Sequence, residues 1–344
     1  MDQKTILDIS IGSIIKVVLV LLTLWFLYSV RDIVAIIFVS IIIAAALSPI
    51  VDKLAKAKFP RVVAVILLYL IILALFSALV YFIVPPLIAQ IQQLAEMLPS
   101  YLKTFGSLIT SLKSIGNSAW LNASQETLNS LSNFLSGFLQ NIFNTTIGFF
   151  NGAAALAVMF ILTLYLVLDE DGIKKFFVSL FPIKQKTRLI VIANKVGMKL
   201  GGWLRGQVIL GIVIGVLVYI GLSLMKIPYA LTLAMLAGLL EIIPIIGPII
   251  SAIPAILIAF TISPTTALMV TIFYILVQEL ENKLLVPKVM QHTVGLNPIS
   301  IIIIILVGAK LMGILGMLLA VPIASVFYVI LEEWPLISSG RSKK

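Results

Sequence analysis

Residues Tyr229–Phe260 read YALTLAMLAGLLEIIPIIGPIISAIPAILIAF, an apolar run that holds one carboxylate, Glu241, and is then punctuated by Pro244, Gly247, Pro248 and Pro254. A carboxylate costs about 3 kcal/mol at the centre of a bilayer, so it is kept there for a partner or a task. About twelve residues lead from Tyr229 to Glu241, and at roughly 1.5 Å per residue they climb about 18 Å. A full span must cross roughly 30 Å of hydrocarbon. The segment therefore reads as two half-length helices that meet at a break. The prolines remove backbone donors and free carbonyls, which membrane depth tolerates only inside protein or beside a water-filled cavity.

Composition supplies the bilayer. Of 344 residues, 61% are apolar and 11% charged, and the mean hydropathy is +1.19. No soluble domain hides that much apolar surface. Apolar runs long enough to cross hydrocarbon occupy 14–30, 62–84, 147–168 and 208–225, with a shorter one at 33–47. The expected fold class is all-α, a polytopic transmembrane helical protein. The first run follows Met1-Asp2-Gln3-Lys4 without a short basic region or a small-residue cleavage site, so it reads as a retained helix. The chain has no cysteine and a single histidine, His292. That removes disulfides, thiolate nucleophiles and cysteine metal sites, and no metal or cofactor is expected.

A formal charge of +10 could suggest nucleic acid, but its distribution points elsewhere. With the N-terminus in the cytoplasm, nineteen of the twenty-four Lys and Arg fall in cytoplasmic segments, as the positive-inside rule expects. The basic balance is topology. Both termini are assigned to the cytoplasm of a cell-membrane protein, and no nucleic-acid partner is expected. The segments divide as 1–84, the first three helices; 85–146, an extracytoplasmic amphipathic helical region; 147–168, a fourth helix; 169–206, a cytoplasmic amphipathic region; 207–334, a C-terminal core with two broken hairpins; and 335–344, a cytoplasmic tail. In the fourth of these, Lys184, Lys186, Arg188, Lys195 and Lys199 interleave with Leu189, Ile192, Val196 and Leu200, the pattern of a helix resting on anionic lipid. Gly-x-x-x-Gly pairs at 197/201 and 211/215 permit close helix contact.

The broken pattern of 229–260 recurs. Segments 297–307 and 311–331 are separated by Gly308-Ala309-Lys310, with Gly313, Gly316 and Pro322 beyond. If the first hairpin enters from outside and the second from the cytoplasm, the two form an inverted repeat of the kind found in secondary transporters. Glu241 and Lys310 would then face each other near the midplane and neutralise one another. The alternative is that Lys310 reaches an interface while Glu241 caps a half-helix. Glu279, Glu281 and Asn282 end the helix before the second hairpin. They either pass a cation through oxygen ligands or simply reach the headgroups.

Four stretches carry a family resemblance: Glu241-Ile-Ile-Pro244-Ile-Ile-Gly247-Pro248, Glu281-Asn282-Lys283-Leu284-Leu285-Val286-Pro287-Lys288, Gly295-Leu296-Asn297-Pro298, and Gly308-Ala-Lys-Leu-Met-Gly313-Ile-Leu-Gly316 running on to Pro322. With these, and with Ser48-Pro49, Asp169-Glu170-Asp171 and Gly206-Gln207, the chain resembles the autoinducer-2 exporter family of PerM-like permeases over nearly its whole length. The resemblance implies a multi-pass secondary permease, associated with export of a quorum-sensing furanone or with sodium(lithium)/proton antiport, and an oligomeric assembly. Lys283 and Gln291 depart from the family pattern, which often has Asn and Gly at those places.

Three classes of function compete. An intramembrane carboxylate on broken hairpins favours a transporter that exchanges a small polar solute, or sodium or lithium, for protons, with Glu241 as the coupling group. A passive channel or oligomeric pore would use the same hairpins without coupling. An enzyme would need a nucleophile with its base, a metal cluster or a phosphate-binding motif, and the chain offers none of the standard patterns. The expected partners are the lipid bilayer, the solute or monovalent cation with its proton, and further copies of the chain.

Overall fold

A computed structural model describes most of residues 16–89, then 153–169, 183–290 and 297–338. Most of the region 85–146, expected to be extracytoplasmic, Glu170 and Asp171 of the acidic triplet, and residues 339–344 of the tail lie outside the described residues. All regular structure among the described residues is helical. In chain order the helices are α1 (Arg31–Lys56), α2 (Arg61–Ile83), α3 (Ala153–Leu168), α4 (Ile183–Leu224), α5 (Ala230–Leu240), α6 (Ile246–Ile262), α7 (Pro264–Leu280), a π-helical turn (Glu281–Leu285), α8 (Val286–Met290) and α9 (Pro298–Ser338).

The sequence pattern divides a cytoplasmic amphipathic segment from an apolar helix near residue 207, but α4 runs through both as one helix of 42 residues. Its C-terminal half is apolar on two faces. Leu210, Ile214, Val218 and Leu222 are buried, while Val208, Ile212, Val216 and Ile220 are exposed. A helix apolar all round needs an apolar solvent, and the exposed stripe is the face that lipid covers. The short run expected at 33–47 also grows. It becomes the 26-residue α1, which continues through Ser48-Pro49 and ends on Lys53 and Lys56. Asp52 on α1 pairs with Arg61 at the start of α2, 3.1 Å away.

By length and hydropathy four helices can cross a membrane: Arg31–Lys56, Arg61–Ile83, Arg188–Leu224 and Ile299–Glu333. The chain is thus a multi-pass helical membrane protein. The fourth reaches its length only by counting through a break. Met312 and Gly313 leave helical geometry, Gly313 with φ 60° and ψ −136°, a conformation open only to glycine. There the chain doubles back, because a Cβ on Gly308 would collide with the Gly316 carbonyl and one on Gly316 with the Gly308 carbonyl. The break falls after Lys310, which remains helical, rather than at 308–310.

Helix α4 is the scaffold against which the other elements lie. On one side, Gly201 meets the Ala45 carbonyl of α1 so closely that any Cβ would collide with it. Pro49 has no N–H to bond the carbonyl four residues back, that of Ala45. The Arg205 guanidinium supplies the missing donor, at 3.3 Å from the Ala45 oxygen and 3.1 Å from that of Ala46. A charged hydrogen bond is worth about 1.5–3 kcal/mol. Arg205→Met should therefore lower stability in detergent by about that amount. The cost should shrink when Pro49→Ala restores the helical donor, and a thermal-unfolding double-mutant cycle reads the difference.

On the other side, α4 packs most extensively against α5. Gly211 and Gly238 touch backbone to backbone, with no room for a Cβ on either. Ile214, Val218 and Leu222 of α4 close a core with Leu233, Ala234 and Ala237 of α5, Ala255, Ile258 and Ala259 of α6, and Ala267 and Val270 of α7. A second core joins α1, α4 and both legs of α9 through Ile42, Trp203, Ile305 and Leu319.

Candidate functional site

Helix α5 stops where the sequence inserts a charge. The Glu241 amide still donates to the Ala237 carbonyl at 3.1 Å, but from Glu241 to Ile245 the chain turns before α6 begins. The tightest point is Ile245, with φ 70° and ψ −51°. The Ile246 N–H reaches back to the Pro244 carbonyl at 2.8 Å. That is a γ-turn of the rare strained hand, held by a β-branched residue. Gly247 then lies so close to the Leu240 carbonyl that no Cβ fits. The Ser251 hydroxyl donates to the Pro248 carbonyl at 2.9 Å, three residues back in the first turns of α6. Pro254, within α6, denies a helical donor to the carbonyl of Ile250.

The turn delivers the Glu241 side chain to the interior, where the residue is 1% exposed. Its Oε2 has no hydrogen-bond partner among the described residues. The group it meets is the carboxyl of Glu281, within hydrogen-bonding reach. Glu281 is 3% exposed and opens the π-helical turn, in which the Val286 N–H bonds the Glu281 carbonyl. A π turn inserts one extra residue and rotates the helix beyond it, a device frequent at functional sites. Pro287, just past the turn, contributes no N–H to either kind of ladder.

Two amides flank the carboxyl pair. Gln207 of α4, 3% exposed, donates its Nε2 to the backbone carbonyl of Glu241 at 2.7 Å. Gln278 of α7 approaches the Glu281 Oε2 at 3.4 Å. Tyr274 and Gln278 of α7 and Glu281 just past its end stand four and three residues apart along one stripe, and the buried Tyr274 hydroxyl has no partner among the described residues. Three helices thus converge, and α4 contributes small residues where α5 must come close. The Cβ a side chain would place on Gly211 lies 3.7 Å from the Cβ of Glu241.

The expected site residues separate. Lys310 is exposed and forms no ion pair with Glu241 among the described residues, so the tip-to-tip pairing is replaced by Glu241 against Glu281. The cause is the register of α9, whose break comes after Lys310 rather than at it. The expected cluster of Glu279, Glu281 and Asn282 also divides. Glu279 is exposed and paired with Lys283 at 2.5 Å, and Asn282 is exposed, while Glu281 alone turns inward. Gly308, Gly313, Gly316 and the buried Pro322 belong to the bend and packing of α9. In the sequence Gln207 stands out only as part of a Gly-Gln pair, and Gln278 and Tyr274 do not stand out at all. A polar side chain recurring at helical spacing to a buried carboxylate is the signal that could have found them.

No group of three His, Cys, Asp or Glu is placed to hold a metal among the described residues. Two carboxyls in contact without a cation repel when both are ionised. The pair is satisfied by one shared proton, or by a cation that takes the proton's place among the carboxyl and amide oxygens.

A model of the family described as "AI-2E family transporter" matches residues 14–336. The chain belongs to the AI-2E transporter family. Similar proteins include YueF of Bacillus subtilis, 28% identical over 80% of this chain and 77% of that protein. YrrI of the same organism is 28% identical over 85% and 84%, and YhhT of Escherichia coli is 25% identical over 92% and 88%. All three carry provisional transport-protein names. The AI-2E match runs across both cores and the carboxyl pair, so the site lies within the part of the chain that defines the family membership.

Proposed function

We propose that this AI-2E family member is a proton-coupled secondary transporter in which Glu241 and Glu281 together form the coupling site. The observation that supports this reading most directly is the contact between two buried carboxyl groups with no Lys or Arg paired to either among the described residues. A buried charge is retained for use rather than stability. In the proposed cycle the pair holds a proton in one state and releases it when sodium, lithium or a small polar solute such as a signalling molecule binds. The α5–α6 turn and the bend of α9 act as the two halves of an inverted arrangement, entering from opposite sides of a cell membrane with both termini cytoplasmic. The chain works alongside further copies of itself, and the cycle contains no catalytic step.

The test is exchange in proteoliposomes under an imposed pH gradient, with sodium, lithium and candidate polar solutes compared one at a time. Dissipation of the gradient by one of them supports coupled exchange and names the ligand class. An ion leak that proceeds without a gradient, and that survives replacement of both glutamates, would instead make the protein a passive pore and the pair a structural feature.

A further inference from the structure

The carbonyl of Glu241 has an unusual partner. In a continuing helix it would accept from the amide of residue 245, but Ile245 sits in the left-handed γ-turn and no backbone amide bonds that carbonyl among the described residues. The donor comes from another helix, the Gln207 Nε2 of α4 at 2.7 Å. One turn further along α4, Gly211 lets the α5 backbone approach until it touches Gly238. Helix α4 therefore meets the end of α5 with a flat backbone contact and one reaching amide. The first fixes the distance, and the second fixes the rotation of the Glu241 peptide.

We infer that Gln207 is the positioning residue of the carboxyl pair, holding the Glu241 peptide so that its side chain is presented to Glu281. It acts through the main chain of Glu241 and not on the transported species, and it counters the tendency of the strained Ile245 turn to relax. Strain of this kind persists only where surrounding contacts over-determine it. Among the described residues the peptide of Glu241 has one such directional contact outside its own hairpin, and Gln207 provides it. Outer partners that orient ligands typically change cation affinity about tenfold to a hundredfold when lost. This inference rests on the coupling role proposed above for the pair.

Two variants and two readouts test it. Gln207→Leu keeps the bulk and loses the donor. Gln207→Glu donates to a carbonyl when its carboxyl is protonated and cannot when ionised. Amide hydrogen exchange in the purified full-length protein should show residues 241–247 exchanging about tenfold faster in Gln207→Leu, with protection in α1 and α7 unchanged. In Gln207→Glu, after correction for intrinsic rates, the same segment should be protected at acidic pH and opened at alkaline pH, over and above any pH dependence that the Glu241–Glu281 pair gives wild type measured in parallel. In Gln207→Leu proteoliposomes the apparent affinity for whichever of sodium, lithium or the candidate polar solutes dissipates the pH gradient in wild type should fall about tenfold or more while the maximal rate stays within about twofold.

Unchanged protection of 241–247 in Gln207→Leu overturns the positioning role whatever transport does. If Gln207→Leu fails to fold, Gln207→Glu decides: protection with the same pH dependence as wild type overturns the inference. If the turn opens as expected but transport is unaltered, Gln207 positions the pair as inferred and it is the coupling role of the pair that fails.

Discussion

Glu241→Gln is expected to bring proton-driven flux down to the level of empty liposomes while leaving the protein folded and its yield in detergent intact. The amide keeps the volume of the carboxyl and can still donate to the Glu281 oxygens, so packing within the core of α4, α5 and α7 survives. What is lost is a group that can carry and release a proton. Glu281→Gln should fail to the same degree, because the two side chains share one task across one contact. The double variant should be no worse than either single one. Such non-additivity identifies groups that act as a unit. Substantial flux left in Glu281→Gln, with Glu241→Gln at background, would mean independent roles. Glu241→Asp keeps the charge but withdraws the carboxyl by one methylene, so it should retain flux at a reduced rate. Wild-type flux in Glu241→Gln, with folded protein confirmed by thermal unfolding, would remove Glu241 from the mechanism.

How far this site was legible depends on which interactions are local. Glu241 could be found because a carboxylate among isoleucines and prolines is anomalous wherever it falls, and the α5–α6 break was located to within a few residues because Pro244, Gly247 and Pro248 act on their own backbone. The partner of Glu241 was not local. Glu281 lies forty residues on, and nothing in Glu279-Leu280-Glu281-Asn282 says which of its polar side chains turns inward. Helical spacing puts Glu281 on the stripe of Tyr274 and Gln278, but which stripe of the helix faces Glu241 is decided by how α7 packs against α4, α5 and α6, a contact between distant segments. The same limit governs α9: three glycines within nine residues announce a bend, but only the backbone contact between Gly308 and Gly316 shows which of them turn and which of them touch. Charge patterning led to the expectation of a cytoplasmic amphipathic region at 169–206, while the run of α4 from Ile183 on through that boundary is held where Gly201 and Trp203 pack against α1 and α9. The family was legible because its motifs sit at these local breaks.

The glycines of α9 give the second large effect, and they should not behave alike. Gly313 has φ 60° and nothing within 4 Å of where a Cβ would go. Gly313→Ala meets no neighbour and costs only backbone strain, on the order of 1–3 kcal/mol. Gly308 and Gly316 have helical dihedrals that alanine accepts, but each would drive a methyl into the backbone carbonyl of the other leg. A flexible side chain could swing aside, whereas a carbonyl held by its own helix cannot. Relief must come from separating the legs, which also opens the contacts of Ile305, Leu319 and Ala320 with α1 and α4. Overpacking of this kind costs about 1–3 kcal/mol where a core can yield, and more where backbone opposes backbone. Gly316→Val should therefore destabilise α9 more than Gly313→Ala, and Gly308→Ala should fall on the same side. Thermal unfolding in detergent ranks the three. Ranking them in the reverse order would mean that the bend, and not the crossing of the two legs, holds the second hairpin together. A cysteine pair engineered across the legs in the Gly316→Val background distinguishes splaying from unfolding. Loss of crosslinking with preserved helicity is the result expected if the legs part while each remains a helix.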